Sequence, residues 1–336
     1  MAERMSPRRL IFISALLVFV LCMFVALYFG YFLMSPAGFD QKEEIFIVKK
    51  GAGLRSVAAE LEKRKLIKSN DLFVLWALFK GGARHVRAGE YSLNQSMSPV
   101  RIFDILASGM VKTYPLTIPE GFNARQIAEI LAEGGLADKD EFLALAMDKG
   151  VATSYQIDGT SLEGYLFPDT YFLSKCMGAR QIIDLMVSRF WHVFNEITVG
   201  RELPMSIREV VTLASIVEKE TGLAEERPLI ASVFLNRLKK RMRLESDPTV
   251  IYGLTDFDGN LTKTDLRTPG PYNTYRNRGL PPGPIANPGR ESLKAVLEPA
   301  PTNHLYFVSK NDGSHHFSAT LREHNRAVLR YQKRRR

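Results

Sequence analysis

The stretch SIREVVTLASIVEKETG, residues 206–222, decides how the C-terminal half of the chain is organised. Ser206 and Glu209 have the spacing of a capping box, in which each side chain bonds to the backbone N–H of the other residue. A helix is therefore predicted to begin after Ser206. Gly222 lies where such a helix is expected to end, because glycine commonly follows the last helical turn.

Glu218 is predicted to lie on the apolar face of this helix. With about 100° per residue, Glu218 falls about 20° from Ile207 and close to Val211. Glu220 falls about 140° from Ile207, on the opposite side. An acidic side chain among core-facing residues is costly unless it is paired or neutral.

A buried carboxyl group suits acid catalysis, because burial raises its pKa and lets it hold a proton near neutral pH. Cleavage of a glycosidic bond needs such an acid, since the leaving oxygen must be protonated as positive charge develops on the sugar. Glu218 is therefore the candidate catalytic residue. The structural alternative is a buried ion pair of Glu218 with Arg237 or Arg243, and the helix pattern alone leaves it open.

A standard glycosidase also needs a second carboxylate, about 5–5.5 Å from the acid if it retains configuration and about 6.5–9.5 Å if it inverts. Glu163, Asp169 and Asp247 are the candidates, and sequence spacing does not decide which lies near Glu218. Asp247 and Pro248 also form a typical helix start, with Asp247 as the N-cap and the helix running over Thr249–Gly253.

The N-terminal region predicts a membrane anchor. Residues 10–34 contain no charged residue, and 25 residues of helix span about 37 Å, enough to cross a hydrocarbon layer of about 30 Å. The segment is too long for the apolar core of a cleaved signal peptide, and SPAG at 35–38 is a poor cleavage site. Arginines before it and acidic residues after it predict a cytoplasmic N-terminus.

Composition excludes several classes of protein. Hydrophobic residues make up 46% and charged residues 24%, which rules out a disordered or collagen-like chain. Two cysteines are too few for a disulfide scaffold or a cysteine-rich zinc site. The net charge of +9 collects largely at the two ends, so the sequence lacks the basic face that nucleic acid binding requires.

Residues 45–110 and 115–190 are predicted to be two divergent copies of one α+β unit. Each begins with a short strand, namely the alternating residues 45–48 in the first copy and residues 116–118 in the second. A glycine-containing turn follows, at 49–53 and at 119–121, and then an amphipathic helix, which in the first copy is predicted to end near Leu66. Gly51, Val57 and Leu61 match Gly121, Ile127 and Leu131. A second strand and helix follow in each copy, at an offset of 80 rather than 70 residues. About ten extra residues therefore fall in the second copy, near 154–167. Chance agreement is the alternative, because strand–turn–helix patterns are common.

The first copy resembles the LysM family of sugar-binding modules. The resemblance is carried by Phe46-x-Val48-Lys49-Lys50-Gly51-x-x-Leu54-x-x-Val57-Ala58. It implies contact with glycans that contain N-acetylglucosamine. A plain α+β spacer with the same strand–turn–helix order is the alternative.

The segment 266–287 is rich in proline and glycine and carries aromatic and asparagine residues, which favours an ordered binding loop. Tyr275 in this loop is a candidate for stacking on sugar, although aromatics near strands are more often part of a core. Residues 317–329 predict a closing helix. The histidines lack the spacing of metal ligands, so neither a metal nor a cofactor is predicted; they are His304, His315, His316 and His324.

Several long motifs together resemble the MltG-type (YceG-like) endolytic murein transglycosylases. They are LASIVEKET at 213–221, ASVFLNRL at 231–238, SDPTVIYG at 246–253, YNTY at 272–275 and GLPPGPIANPG at 279–289. The resemblance extends from the anchor to about Tyr331. In that family the first glutamate of the Ile-Val-Glu-Lys-Glu motif is catalytic, and it corresponds to Glu218.

The resemblance implies a mechanism with one essential carboxyl group. Glu218 protonates the bond between N-acetylmuramic acid and N-acetylglucosamine, and the resulting carboxylate takes the proton of the muramyl 6-hydroxyl as that oxygen attacks the anomeric carbon. The product is a 1,6-anhydromuramyl end, and no water is consumed. Tyr272 and Asn273 are similar to the Tyr-Asn pair with which other lytic transglycosylases hold the acid and the sugar, and ordinary loop packing is the alternative.

The prediction is therefore an α+β lytic transglycosylase on a single-pass helix of the bacterial inner membrane. Its partners are peptidoglycan strands, the membrane and, from the resemblance, peptidoglycan synthases, with no nucleic acid. The predicted substrate-binding residues are Tyr272, Asn273, Tyr275, Glu163 and Asp247. The rival functions are a hydrolytic muramidase and a peptidoglycan-binding tether without activity. The predicted segments are a cytoplasmic N-terminus (1–9), the anchor (10–34), a LysM-like subdomain (45–112), a periplasmic catalytic domain (113–331, with the second copy at 113–190) and a basic tail (332–336).

Overall fold

The computed structural model describes residues 7–81 and 86–333. The chain divides into two compact units, of which unit 1 comprises Met1–Tyr114 with Ser174–Cys176 and unit 2 comprises Pro115–Leu173 with Met177–Arg336. Most of the predicted cytoplasmic N-terminus and of the predicted basic tail lies outside the described residues. The protein is a mixed α+β chain, as predicted.

Unit 1 contains a long apolar helix and a small α+β body. Its elements are α1 (Pro7–Met34), β1 (Glu44–Val48), α2 (Leu54–Lys63), α3 (Asn70–Phe79), β2 (Gly89–Leu93) and α4 (Pro99–Ser108). Within α1, the 24 residues Ile11–Met34 are long and apolar enough to cross a membrane by length and composition. This is the helix on which the predicted anchor depends.

The core of unit 1 forms around an antiparallel pair of strands. Phe46 of β1 lies opposite Tyr91 of β2, and both side chains are buried because alternate residues of a strand point to the same face. The helix that was predicted to end near Leu66 ends at Lys63 instead. Lys65 then adopts a left-handed conformation, with φ at 57°, which turns the chain and buries Leu66.

The first part of unit 2 repeats the order of elements seen in unit 1, with one additional helix, α7. Strands β3 and β4 pair with each other, and the predicted strand at 116–118 is observed at 114–117. The elements are β3 (Tyr114–Thr117), α5 (Ala124–Glu133), α6 (Lys139–Ala146), α7 (Lys149–Ser154), β4 (Thr170–Leu173) and α8 (Ala179–Thr198).

The second part of unit 2 is built around helix α9 (Ile207–Glu220), whose capping box between Ser206 and Glu209 is confirmed. Residues 210–217 of α9 are all buried, so this helix is covered on every side rather than along one apolar stripe. Most of its cover comes from α10 and α13. The remaining elements are α10 (Arg227–Lys239), α11 (Asp247–Gly253), α12 (Lys263–Arg267), α13 (Arg290–Leu297), β5 (Tyr306–Ser309), β6 (His315–Ser318) and α14 (Leu321–Val328).

Two predicted helix starts are wrong. The closing helix predicted from Phe317 begins at Leu321, because residues 315–318 pair with β5 as a strand. The N-cap of α11 is Ser246 rather than Asp247, which is the first helical residue. The Ser246 hydroxyl makes no capping bond, because it donates to the carboxylate of Glu220.

Gly164 occupies a position in unit 2 that a side chain cannot enter. Its φ is +90°, and an added Cβ would lie 2.5 Å from Cγ of Pro284 and 2.8 Å from Cγ1 of Val211. We therefore expect Gly164→Ala to destabilise unit 2 by about 1–3 kcal/mol or more. Denaturant unfolding followed by Trp191 fluorescence in a Trp76→Phe background measures this, because Trp191 lies in unit 2 and Trp76 in unit 1.

Gly270→Ala is the matched control, because no atom lies within 4 Å of the Cβ added there and its φ is not positive. It should leave the unfolding midpoint unchanged. Equal midpoints for the two variants would contradict the steric argument.

Candidate active site

Glu218 lies in the last turn of α9, where the buried helix reaches the surface. Only 5% of its side chain is exposed, yet it lines an open cavity of about 390 Å³. Two donors hold its carboxylate: the Arg227 guanidinium lies 3.0 Å from Oε1, and the Gly289 backbone N–H lies 2.8 Å from Oε2. A carboxylate oxygen has two lone pairs, so each oxygen can accept a second hydrogen bond.

The ion-pair alternative is realised with a different arginine from those predicted. Arg227, at the start of α10, pairs with Glu218, whereas the Arg237 side chain donates to the carbonyl oxygens of Leu305 and Leu244 at 2.7 and 2.8 Å. The pair is not sealed beneath a closed surface, because both partners line the same open cavity. An ion pair and access to a ligand therefore coexist at Glu218.

Glu120 is the second carboxylate partner of Arg227. The same guanidinium nitrogen lies 3.2 Å from its Oε2, and the Glu120 side chain is about half exposed at the cavity rim. Partial burial raises the pKa of Glu120, and the charge of Glu218 adds to this increase. The sequence pattern indicated only a turn at residues 119–121, so this side chain was not predicted.

Glu220 lines the same cavity, although the helix pattern placed it on the opposite side from Glu218. The Ser246 hydroxyl donates to its carboxylate, and burial, with a smaller contribution from the charge of Asp247, raises the pKa of Glu220 to about 7. The side of α9 that carries Glu220 is covered at this point by Ser246 and the start of α11. The sequence feature that could have pointed to Glu220 is its place as the second glutamate of the Glu-Lys-Glu motif at 218–220.

Glu163, predicted as a substrate ligand, is buried with 1% of its surface exposed. Its carboxylate accepts from the Ala124 N–H at 3.1 Å, the Tyr252 hydroxyl at 3.1 Å and the Asn287 side-chain amide at 3.0 Å. Burial raises the pKa of Glu163 to about 7, against these hydrogen bonds. The side chain therefore joins three segments of unit 2.

Asn287 connects Glu163 to the clamp on Glu218, by which we mean the two donors Arg227 and the Gly289 N–H. Its side chain donates to the Phe122 carbonyl at 2.9 Å and accepts from the Leu166 N–H at 2.9 Å, and its own carbonyl accepts from the Gly121 N–H. Two residues later, Gly289 donates to Glu218. The buried amide thus fixes the segment that presents this donor.

Of the other predicted ligands, Asp247 is the first residue of α11, and the rest lie in the loop after α12. The Asn273 side chain donates to the carbonyl of Thr268 at 2.7 Å and accepts from the Tyr275 N–H at 2.9 Å, which is the loop-packing alternative. The Tyr275 hydroxyl donates to Asp247 at 2.6 Å. None of these groups bonds to Glu218 among the described residues.

Tyr272 lines a second cavity, of about 430 Å³, together with Glu163, Tyr252, Asn123 and Arg125. Its ring packs edge-on against Tyr252, with centroids 4.8 Å apart. The predicted substrate contact of Tyr272 therefore concerns this cavity rather than the one at Glu218.

The histidines do not converge on one point. His315 pairs with Glu226 at 2.6 Å, while His304 and His324 stack on Phe317 and Tyr306. Within residues 7–81 and 86–333, no group of three or more His, Cys, Asp or Glu side chains is arranged to hold a metal ion.

The sequence model of the YceG-like family aligns with residues 46–330. This range includes both cavities and most of unit 1. The chain belongs to the YceG-like family. The family membership predicted from the motifs is thereby confirmed.

This YceG-like protein is 34% identical over 324 residues to a Bacillus subtilis (strain 168) protein named endolytic murein transglycosylase, with 91% of this chain and 90% of the relative covered. A protein of the same name from Streptococcus pneumoniae (serotype 2, strain D39) is 28% identical over 358 residues, covering 95% of this chain but 65% of that relative. The chain thus spans less than two thirds of the streptococcal relative. The crystal structure of a YceG-like protein from Listeria monocytogenes is 32% identical, with a TM-score of 0.58 over 85% of this chain and 99% of that chain.

The buried carboxyl groups of Glu163 and Glu220 predict that the stability of unit 2 depends on pH. Glutamate titrates near 4.5 in the unfolded chain, whereas burial raises the pKa of Glu163 and of Glu220 to about 7. Between these values unfolding releases protons, so the free energy of unfolding of unit 2 falls as pH rises and levels off above about pH 7. Each carboxyl group contributes about 3 kcal/mol at most to this fall.

Glu220→Gln should remove about half of this pH dependence. Thermal unfolding detected by Trp191 in the Trp76→Phe background, from pH 4.5 to pH 8, measures the slope, because this range covers the interval between the unfolded and folded pKa values. Glu129→Gln is the control, because Glu129 and its ion-pair partner Lys139 are both exposed. If wild type and Glu220→Gln gave parallel curves, the assignment of a raised pKa to Glu220 would be wrong.

Proposed function

We propose that this chain is an endolytic murein transglycosylase that uses Glu218 as its single proton shuttle. The observation that carries the proposal is the position of Glu218: it is nearly buried and held by two donors, yet it lines an open cavity. The name shared by the Bacillus and Streptococcus relatives supports the reaction class.

In the proposed reaction, protonated Glu218 donates its proton to the glycosidic oxygen between N-acetylmuramic acid and N-acetylglucosamine as that bond breaks. The Glu218 carboxylate then accepts the proton of the muramyl 6-hydroxyl, and this oxygen bonds to the anomeric carbon. A 1,6-anhydromuramyl end forms, and the carboxyl group regains its proton. The net reaction takes up no water and requires no second carboxylate.

Arg227 fits this cycle because it has two carboxylate partners. It can remain paired with Glu120, 3.2 Å away, while Glu218 carries the proton. After proton transfer it stabilises the Glu218 carboxylate from 3.0 Å, where a charge-assisted hydrogen bond is strong. The Gly289 N–H orients the second oxygen. We therefore infer that the two donors stabilise the charged stage of the cycle.

We further propose that α1 anchors the chain in the bacterial inner membrane, with its N-terminus cytoplasmic and both units in the periplasm. The 24 apolar residues of Ile11–Met34 support the anchor. Glycan contact through the LysM-like subdomain, and work beside peptidoglycan synthases, belong to the same proposal. Cutting nascent strands internally at the membrane would limit their length.

Hydrolysis is the second candidate, and one observation favours it: Glu120 and Glu220 line the same cavity as Glu218. Either carboxylate could activate a water molecule, which a muramidase requires. Hydrolysis would leave a reducing sugar end, heavier than the anhydro end by one water. The products therefore separate the two reactions directly.

We expect Glu218→Gln to fold normally but to form no 1,6-anhydro ends, because glutamine cannot donate and recover a proton. Mass spectrometry of purified glycan strands, digested in parallel by wild type and variant, measures this. Glu133→Gln, an exposed glutamate at the end of α5, is the control and should retain full product formation.

Three results would count against the proposal. Anhydro products from the Glu218→Gln variant would remove the proposed acid. Reducing ends from the wild type would establish the muramidase instead. Glycan binding without turnover in every variant would establish the tether.

A further inference from the structure

Helix α3 in unit 1 is apolar on both sides. One side packs into the core through Phe73, Val74 and Ala77. The other side carries three exposed apolar residues, with exposed fractions of 56, 52 and 82%: Leu75, Leu78 and Phe79. A surface helix normally carries polar residues at such positions. No described residue covers this outer face.

The core beneath α3 also holds the end of the apolar helix α1. Phe32 and Leu33, in the last turn of α1, are buried in the same cluster as Phe73. Just beyond α1, the Lys68 ammonium donates to the Ser35 hydroxyl at 3.0 Å. The position of α3 is therefore fixed relative to the end of α1 by packing within one unit.

The length of α1 places this junction at a membrane boundary. Ile11–Met34 spans about 36 Å as a helix, whereas the hydrocarbon layer is about 30 Å thick. The last turns of α1 therefore lie at the level of the headgroups. Tyr28 and Tyr31 are exposed there, and the Lys68 ammonium lies 5.9 Å from the Tyr31 ring. Tyrosine and lysine at this level are typical of membrane interfaces.

The outer face of α3 carries the same kinds of residue as the end of α1, namely aromatic rings and lysine. The rings of Trp76 and Phe79 stack with centroids 6.2 Å apart, and the Lys80 ammonium lies 5.0 Å above the Trp76 ring. Large apolar and aromatic side chains flanked by lysine are the pattern of helices that lie in the headgroup region. The lysines add attraction to anionic lipids.

We propose that the outer face of α3, formed by Leu75, Leu78 and Phe79, inserts shallowly into the bilayer that α1 crosses. The proposal rests on the proposed membrane anchor. The occupant of the face is lipid, because α3 shares one core with the end of the anchor and its outer face carries the same kinds of aromatic and lysine residue. Unit 1 is then held at the membrane surface by two contacts, α1 and the outer face of α3.

Fluorescence quenching by lipid tests this in the full-length chain. Trp191→Phe leaves Trp76 as the single tryptophan, next to the proposed contact. The protein is reconstituted in vesicles of phosphatidylethanolamine and phosphatidylglycerol whose acyl chains are brominated near the headgroup. We expect Trp76 to lose about half of its emission there, and less when bromine lies near the chain ends, because interfacial helices insert shallowly.

Two matched variants locate the contact. Leu75→Ser/Leu78→Ser/Phe79→Ser should abolish most of the quenching without unfolding unit 1, because these side chains lie outside the core. Ile45→Ser/Ile47→Ser should leave the quenching unchanged: these residues are also exposed, but on the outer face of β1, opposite the buried Phe46 and Val48. Circular dichroism checks that both variants are folded.

Several outcomes would overturn the proposal. Trp76 emission that is insensitive to bromine in vesicle-bound protein would do so, as would equal quenching in the α3 variant. A bromine-independent change that grows with the protein-to-lipid ratio would identify a second copy as the occupant.

The proposed function is tested separately in the same samples. Flotation of the chain with vesicles tests the anchor, and anhydro product from soluble glycan tests the enzyme. The α3 variant should float and cut soluble glycan as wild type does. A chain that floats and cuts but shows no quenching would contradict only the α3 contact.

Discussion

The structure of unit 2 depends on the clamp around one carboxylate. Glu218 is nearly buried at the end of a helix, and a buried acid is tolerated only where donors satisfy it. Arg227 and the Gly289 N–H meet this requirement from two different segments, α10 and the loop before α13. Removal of either donor would leave a charge beneath the surface. The same donors leave the side of the carboxylate that faces the cavity open to a ligand.

The clamp is held in place by buried polar groups rather than by the apolar core alone. Asn287 ties the segment of Gly289 to Phe122, Leu166 and Glu163, and Glu163 ties the start of α5 to α11. Such a network specifies one arrangement, because each unpaired group would cost about 1–3 kcal/mol. The network also links two cavities. Asn287 bonds to Glu163 in the cavity lined by Tyr272, and Gly289, two residues later in the chain, bonds to Glu218 in the other cavity. A rigid frame of this kind is what positions a proton donor accurately.

Local signals predicted local structure well. The capping box at Ser206 located the start of α9, and the alternation at residues 45–48 located β1, because both depend on neighbouring residues only. The identity of the partner of Glu218 could not be predicted in this way. Arg227 follows α9 in the chain by a turn whose direction the pattern does not fix, and Gly289 contributes a backbone N–H, which has no side-chain signature. The helix pattern placed Glu220 opposite the apolar stripe but could not show what covers that side. At the end of α9 that side meets Ser246, at the start of α11.

The central claim is that Glu218, and not another carboxyl group of the cavity, meets the scissile bond. A crystal structure of the Glu218→Gln variant with a bound peptidoglycan tetrasaccharide measures this directly. The account predicts that the glycosidic oxygen of N-acetylmuramic acid lies within about 3 Å of the side chain at position 218, with the muramyl 6-hydroxyl on the same side. A glycan whose scissile oxygen lies instead against Glu220 or Glu120, or in the cavity beside Tyr272 alone, would contradict it.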